Sequence, residues 1–135
     1  MNQNFKFSDV TNLIIKAYYN VYNTLGFGFL EKVYENSMMI ELKNLGLNCS
    51  NQIAIKVNYK DKIVGDYYAD IIVNNSVIIE LKAAKSLCEE HEIQLVNYLK
   101  ATNMEVGLLI NFGKEPEFKR KVLTNEYKKF NRRKS

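Results

Sequence analysis

Apolar positions recur along the chain at two different periods, and the change of period divides it. After Ser8, a residue type suited to capping a helix, Val10, Leu13, Ile14, Ala17, Val21 and Leu25 follow at spacings of three and four. That spacing predicts an amphipathic helix over about residues 8–25. Gly26 and Gly28 break it. A second helix is expected over about 29–45, with Leu30, Val33, Tyr34, Ser37 and Glu41 on one stripe. Met38, Leu42 and Leu45 widen its apolar side. Gly46 followed by Leu47 has the form of a terminating glycine with its apolar anchor.

From Gln52 the period becomes two. Ile53, Ile55, Val57 and Tyr59 alternate with polar or small residues, which predicts a half-buried strand, and Asp61-Lys62 marks a turn. Residues 63–73 and 77–82 make two more strands, the latter apolar on both faces up to Glu80 and so expected at the centre of a sheet. A helix over 88–101 follows, then a buried strand over 105–112 closed by Gly113. Residues 114–123 suit an edge strand after Pro116, and 124–135 form a polar tail, as a short helix or frayed. The order α-α-β-β-β-α-β-(β) predicts an α/β fold, an α+β sandwich in which helices flank a mixed sheet.

Composition bounds this picture. The length of 135 residues fits one domain over 1–135, and an apolar share of 47% supports a full core. The net charge of +4 is unevenly placed. Residues 1–113 hold 10 Lys/Arg against 12 Asp/Glu, and residues 114–135 hold 9 against 3. A uniformly basic protein that coats nucleic acid is excluded, and a near-neutral body with a basic C-terminal end remains. No apolar run approaches a membrane span, and the first residues lack the order of a signal peptide. Cys49 and Cys88 are too few for a disulfide framework and are expected as reduced, small buried residues of a cytoplasmic protein.

The chemically unusual residues are Asp70, Glu80 and Lys82. Glu80 and Lys82 are two apart on a strand, so both side chains point to one face. A two-residue loop at Asn74-Asn75 would set Asp70 opposite Ile79. A three-residue loop, Asn74-Asn75-Ser76, sets it opposite Glu80, and asparagine suits the left-handed backbone that such a loop needs. Two carboxylates held together are hard oxygen ligands that suit Mg²⁺ or Mn²⁺. A neighbouring lysine is placed to orient water and to stabilise charge on a phosphoryl oxygen. The plainer alternative is a surface ion pair between Glu80 and Lys82.

The spacing Asp70…Glu80-x-Lys82 resembles the PD-(D/E)xK motif of restriction-endonuclease-like nucleases, with Ala69 where the motif has proline. Gln94-x-x-x-Tyr98 resembles the Q-x-x-x-Y signature of its exonuclease-like branch. Gly28-Phe29-Leu30-Glu31-Lys32-Val33-Tyr34 resembles the signature of the GxxExxY protein family. Residues 65–70, 80–83, 91–99 and 106–113 follow in that family's order, so the likeness spans roughly 8–125.

The resemblance implies a restriction-endonuclease-like fold and a Mg²⁺- or Mn²⁺-dependent nuclease acting on DNA or RNA. It implies that Asp70, Glu80 and Glu31 bind the metal and that Lys82 acts on the attacking water. Gln94 would position Lys82 or nearby backbone, and Tyr98 would support Gln94 or touch substrate. A homodimer or protein partner is compatible with so small a domain. The rival reading is a non-catalytic module on the same fold that binds nucleic acid or protein.

Other residues add less. Tyr67 and Tyr68 stand close enough to Asp70 to stack bases. Lys119, Arg120, Lys121, Lys128, Lys129, Arg132, Arg133 and Lys134 are candidates for phosphate contact, or else a solvated end. His91 lacks the second histidine of a zinc-protease motif and reads as a surface or capping residue. Gly26-Phe27-Gly28 reads as an interhelical turn.

Overall fold

The structure, a computed structural model, describes residues 7–128. Two helices open the chain, α1 (Ser8–Leu25) and α2 (Glu31–Asn44). Strands β1 (Cys49–Tyr59), β2 (Lys62–Val73) and β3 (Val77–Lys82) follow, then α3 (Glu89–Lys100), β4 (Val106–Phe112) and β5 (Pro116–Val122). One mixed sheet has the order β1-β2-β3-β4-β5. β1, β2 and β3 form an antiparallel meander, and β4 pairs with β5 antiparallel. β3 and β4 are parallel, which requires a crossover, and α3 supplies it. The result is an α+β fold of the restriction-endonuclease-like kind.

Each face of the sheet is covered. Ile14, Tyr18 and Val21 of α1 and Tyr34, Met38 and Leu42 of α2 pack on Ile71, Val73, Ile79, Leu81, Leu108 and Ile110. On the opposite face Leu95, Tyr98 and Leu99 of α3 pack on Ile55, Ala69, Ile72, Ile78 and Leu109. The two cores explain why β3 and β4 read as continuous apolar runs. Gly107 lets α3 approach closely, since a Cβ there would lie 2.7 Å from Leu95 Cδ1.

Several expectations change in detail. Ser8 is the first helical residue of α1 rather than its cap. In α2 the buried face is Tyr34, Glu35, Met38 and Leu42, whereas Leu30 is 81% exposed and Val33 and Ile40 are also exposed. Tyr34, Met38 and Leu42 thus lie on the buried side as expected, while the Leu30 and Val33 edge of the stripe faces out and Glu35, which accepts polar groups of β1, faces in. β1 begins at Cys49, three residues before the alternating run. Cys88 is exposed at the N-terminus of α3 and Cys49 is half-buried, so neither is a core residue. His91 does cap, its Nδ1 accepting the Cys88 amide at 3.2 Å. The Gly46 ending stands: Gly46 has φ +82, and the amide of buried Leu47 donates to the Leu42 carbonyl at 3.0 Å.

The β1–β2 ladder contains a break that organises the site. It pairs Asn51 with Ile71 and Ile53 with Ala69, leaving Gln52 and Asp70 outside the pairing. Strict alternation would place Ala69 and Ile71 on the same face. Instead Ile71 lies in the core under α1 and α2, and Ala69 in the core under α3. β1 turns over at the same level: Asn51 reaches α2, while Ile53 packs toward α3. Gln52 absorbs the change at φ +52, a left-handed value uncommon for a residue with a side chain.

Candidate active site

The β2–β3 hairpin uses the three-residue loop, with Asn74 at φ 53 and Asn75 at φ 52. Its ladder runs Val73–Val77, Ile72–Ile78 and Ile71–Ile79. The next pair would be Asp70 and Glu80, and there the strands part. β2 stays with β1, while β3 continues beside β4 as far as Lys82 opposite Asn111. The fork exposes backbone donors, and the two carboxylates satisfy them. Glu80 Oε2 accepts the Asp70 amide at 3.0 Å, and Asp70 Oδ2 accepts the Leu81 amide at 2.9 Å. Each carboxylate keeps its other oxygen, Oε1 and Oδ1, out of these bonds.

Placing two carboxylates here is electrostatically unfavourable. Glu80 is only 5% exposed. Burial pushes its carboxyl up to about 8, and the charge of Asp70 pushes the same way. The Asp70 carboxyl is also raised, first by burial and then by Glu31 and Glu35, while the Leu81 amide and Lys82 oppose the shift. Lys82 is half-buried and shares the Glu80 side of β3 by alternation. Glu31, in the exposed first turn of α2, acts on both carboxylates through its charge. Among the described residues no three His, Cys, Asp or Glu side chains gather closely enough to hold a metal ion. The close pair is thus Asp70 and Glu80, with Glu31 at longer range. Two neighbouring carboxylates, whose mutual repulsion a proton or a cation relieves, form a donor set that fits a hard divalent ion.

On α3, Gln94 Nε2 donates to the Tyr98 hydroxyl at 2.8 Å. Tyr98 is buried, which pushes its phenol up to about 12, and the Glu80 charge adds to that rise. Its ring lies 5.9 Å from that of Tyr67. Tyr67, Tyr98, Asn97, Val57 and Ala101 line a cavity of about 300 Å³ on this face. Tyr68 is exposed on β2 opposite Ala54.

The basic candidates do not form one surface. Lys119 and Lys121 pair with Leu109 and Gly107, whereas Arg120 pairs with Leu108 and so alternates to the other face. Lys121 Nζ lies 2.6 Å from a Glu92 carboxylate oxygen on α3. Lys128 is only 2% exposed and donates to the Thr102 and Met104 carbonyls, so it is a structural residue with no free charge to offer a phosphate. Lys129, Arg132, Arg133 and Lys134 lie outside the described residues.

Two features at the site have no counterpart in the sequence expectations. Glu35, 4% exposed, accepts Asn51 Nδ2 at 2.8 Å, Gln52 Nε2 at 2.9 Å and Lys32 Nζ at 3.1 Å. Its position one turn after Glu31 was the available signal. Asn111, also buried, holds the segment after Lys82: its Oδ1 accepts the Ala84 amide at 2.9 Å, and its Nδ2 donates to the Ala84 carbonyl at 3.0 Å.

A family profile described as the PD-(D/E)XK nuclease superfamily matches residues 8–122. Among solved structures, the chain is similar to one titled "Crystal structure of SSO0001", at a TM-score of 0.57 and 21% identity. That likeness covers 90% of this chain and 62% of the other, so this chain spans less than two thirds of that protein, and it bears on the fold alone. No curated protein matches the chain. No helix among the described residues is long and apolar enough to cross a membrane.

Proposed function

Because the chain belongs to the PD-(D/E)XK nuclease superfamily, we propose that it hydrolyses phosphodiester bonds of nucleic acid at the fork between β2 and β3. The observation that carries this reading is the Asp70–Glu80 pair: two carboxylates at a strand fork, each fixed through one oxygen. Asp70 Oδ1 and Glu80 Oε1 would hold Mg²⁺ or Mn²⁺, with Glu31 as a third, more distant carboxylate. A bound divalent ion there supplies charge neutralisation at the phosphate and lowers the pKa of water.

The chain's own residues do the rest. Lys82, on the same side as Glu80, orients the attacking water and faces the charge that builds on the phosphoryl oxygens. Gln94, held by Tyr98, supports this end of β3, and the exposed Tyr68 offers a ring face to bases. Lys119 and Lys121, which share one face of the edge strand β5, are the candidates for backbone contact, Lys121 after release from Glu92, while Arg120 lies on the other face. Within the superfamily we assign the chain to the GxxExxY family, on Gly28, Glu31 and Tyr34 and the blocks that follow. We also take residues 1–135 as a single domain acting in the cytoplasm.

The test is cleavage of single- and double-stranded DNA and RNA with Mg²⁺ or Mn²⁺. Wild type should cut, and Asp70→Ala, Glu80→Ala and Lys82→Ala should not, with their folds intact. Equal cleavage by wild type and all three variants would refute the proposal. A chain that binds nucleic acid without cutting it would be the non-catalytic module instead.

A further inference from the structure

We infer that Glu35 is a positioning residue, which holds the paired break at Gln52 and Asp70 and so turns the Asp70 carboxylate into the fork. An undisturbed strand directs its side chains perpendicular to the sheet. Asp70 departs from this, since its Oδ2 accepts the Leu81 amide of the neighbouring strand, a bond that runs in the sheet. What permits it is the break, where Asp70 and its counterpart Gln52 leave the ladder and both strands change face.

The break needs a hold, because Gln52 sits at φ +52 with a Cβ to accommodate. Such a conformation is unfavourable and persists only where the surroundings over-determine it. Glu35 is what over-determines it. Its Oε1 accepts the Gln52 carboxamide and its Oε2 accepts that of Asn51, so one buried carboxylate grips the residues at and before the break. Lys32 Nζ on Oε2 supplies the balancing charge from outside. The grip is formed between α2 and β1, and Asp70 lies directly across the ladder from it. Glu35 touches neither metal nor substrate on this reading; it acts through Gln52.

The inference takes its functional meaning from the proposed role of Asp70, and its test is independent of metal and of nucleic acid. Exchange of the Leu81 backbone amide, followed by NMR in EDTA, reports whether Asp70 Oδ2 occupies the fork. Asp70→Ala defines the rate with that bond lost. Glu35→Gln reverses one donor–acceptor pairing at Asn51 or Gln52. It should speed Leu81 exchange about tenfold or more toward the Asp70→Ala rate, while the Ile79 and Leu108 amides keep theirs. Gln52→Ala keeps the Cβ that makes the left-handed backbone costly and cuts the link to Glu35, so it should speed Leu81 in the same sense. It also decides the matter if Glu35→Gln does not fold. Wild-type Leu81 protection in Gln52→Ala, or in a folded Glu35→Gln, would overturn the inference. Nuclease activity plays no part in these rates, so an inactive wild type with the expected exchange pattern would sink the nuclease reading and leave this one standing.

Discussion

Asp70 and Glu80 hold each other's strands: the Asp70 amide donates to the Glu80 carboxylate, and the Asp70 carboxylate accepts the amide of Leu81, the residue after Glu80. This reciprocal tie closes a fork that the ladder leaves open, and it sets two carboxyl groups together, that of Glu80 buried. Its consequences are measurable without knowing the substrate.

The first is a pH dependence of the metal-free protein. The folded-state pKa of Glu80 is raised to about 8 from an ordinary 4.5. Between those values the folded chain holds a proton that the unfolded chain releases, so the stability contributed by protonated Glu80 is lost as pH rises from about 4.5 to 8. Thermal unfolding in EDTA should show a higher Tm at pH 5 than at pH 8 from this group. Glu80→Gln should flatten that dependence, and an equal slope in both proteins would count against the burial argument.

A divalent ion should reverse the trend. Mn²⁺ competes with protons for the pair, so its stabilisation should be larger at pH 8 than at pH 5. At a hundredfold excess over Kd a native-state ligand contributes about 2.7 kcal/mol. Differential scanning fluorimetry should show a rise of several degrees in wild type and none in Asp70→Ala.

Asn111 should matter for stability and for Lys82 together. Asn111→Ala leaves the Ala84 amide and carbonyl unpaired beside the end of β3. A loss of about 1–3 kcal/mol is expected in urea unfolding. The backbone that carries Lys82 should loosen with it, seen as faster amide exchange at Ala84 and neighbouring residues.

The Gln94–Tyr98 bond separates two roles. Tyr98→Phe keeps the ring and removes the hydroxyl that accepts Gln94 Nε2, at a stability cost of about 1 kcal/mol. If Gln94 supports the β3 end, both Gln94→Ala and Tyr98→Phe should lower kcat and leave Mn²⁺ stabilisation unchanged. A change confined to KM would place Tyr98 with the substrate instead.

Much of this arrangement was legible in the chain. Two asparagines suited to left-handed backbone pointed to the loop that sets Asp70 level with Glu80, and the register follows it. The apolar runs of β3 and β4 and the change of period at β1 gave the layers. The break at Gln52 was hidden because Ile53, Ile55 and Val57 alternate regularly on one side of it, and the face change falls on polar Asn51 and Gln52. Glu35 was hidden for a related reason: a carboxylate is read as a surface residue unless its partners are known. Those partners, Asn51 and Gln52, lie sixteen and seventeen residues away. The misplaced edge of the α2 stripe follows from the same blindness, since Leu30 and Val33 are apolar yet exposed. Lys128 looked like one of a basic run and proved to be a buried donor to two carbonyls, its ammonium pushed down to about 8 by burial.

The most direct test of the central claim is the anomalous difference density of a crystal soaked in Mn²⁺. The account predicts a peak at the fork beside the Asp70 and Glu80 carboxylates in wild type, absent from an Asp70→Ala crystal soaked in the same way. A wild-type map with no peak at the fork, or with manganese bound only elsewhere, would contradict it.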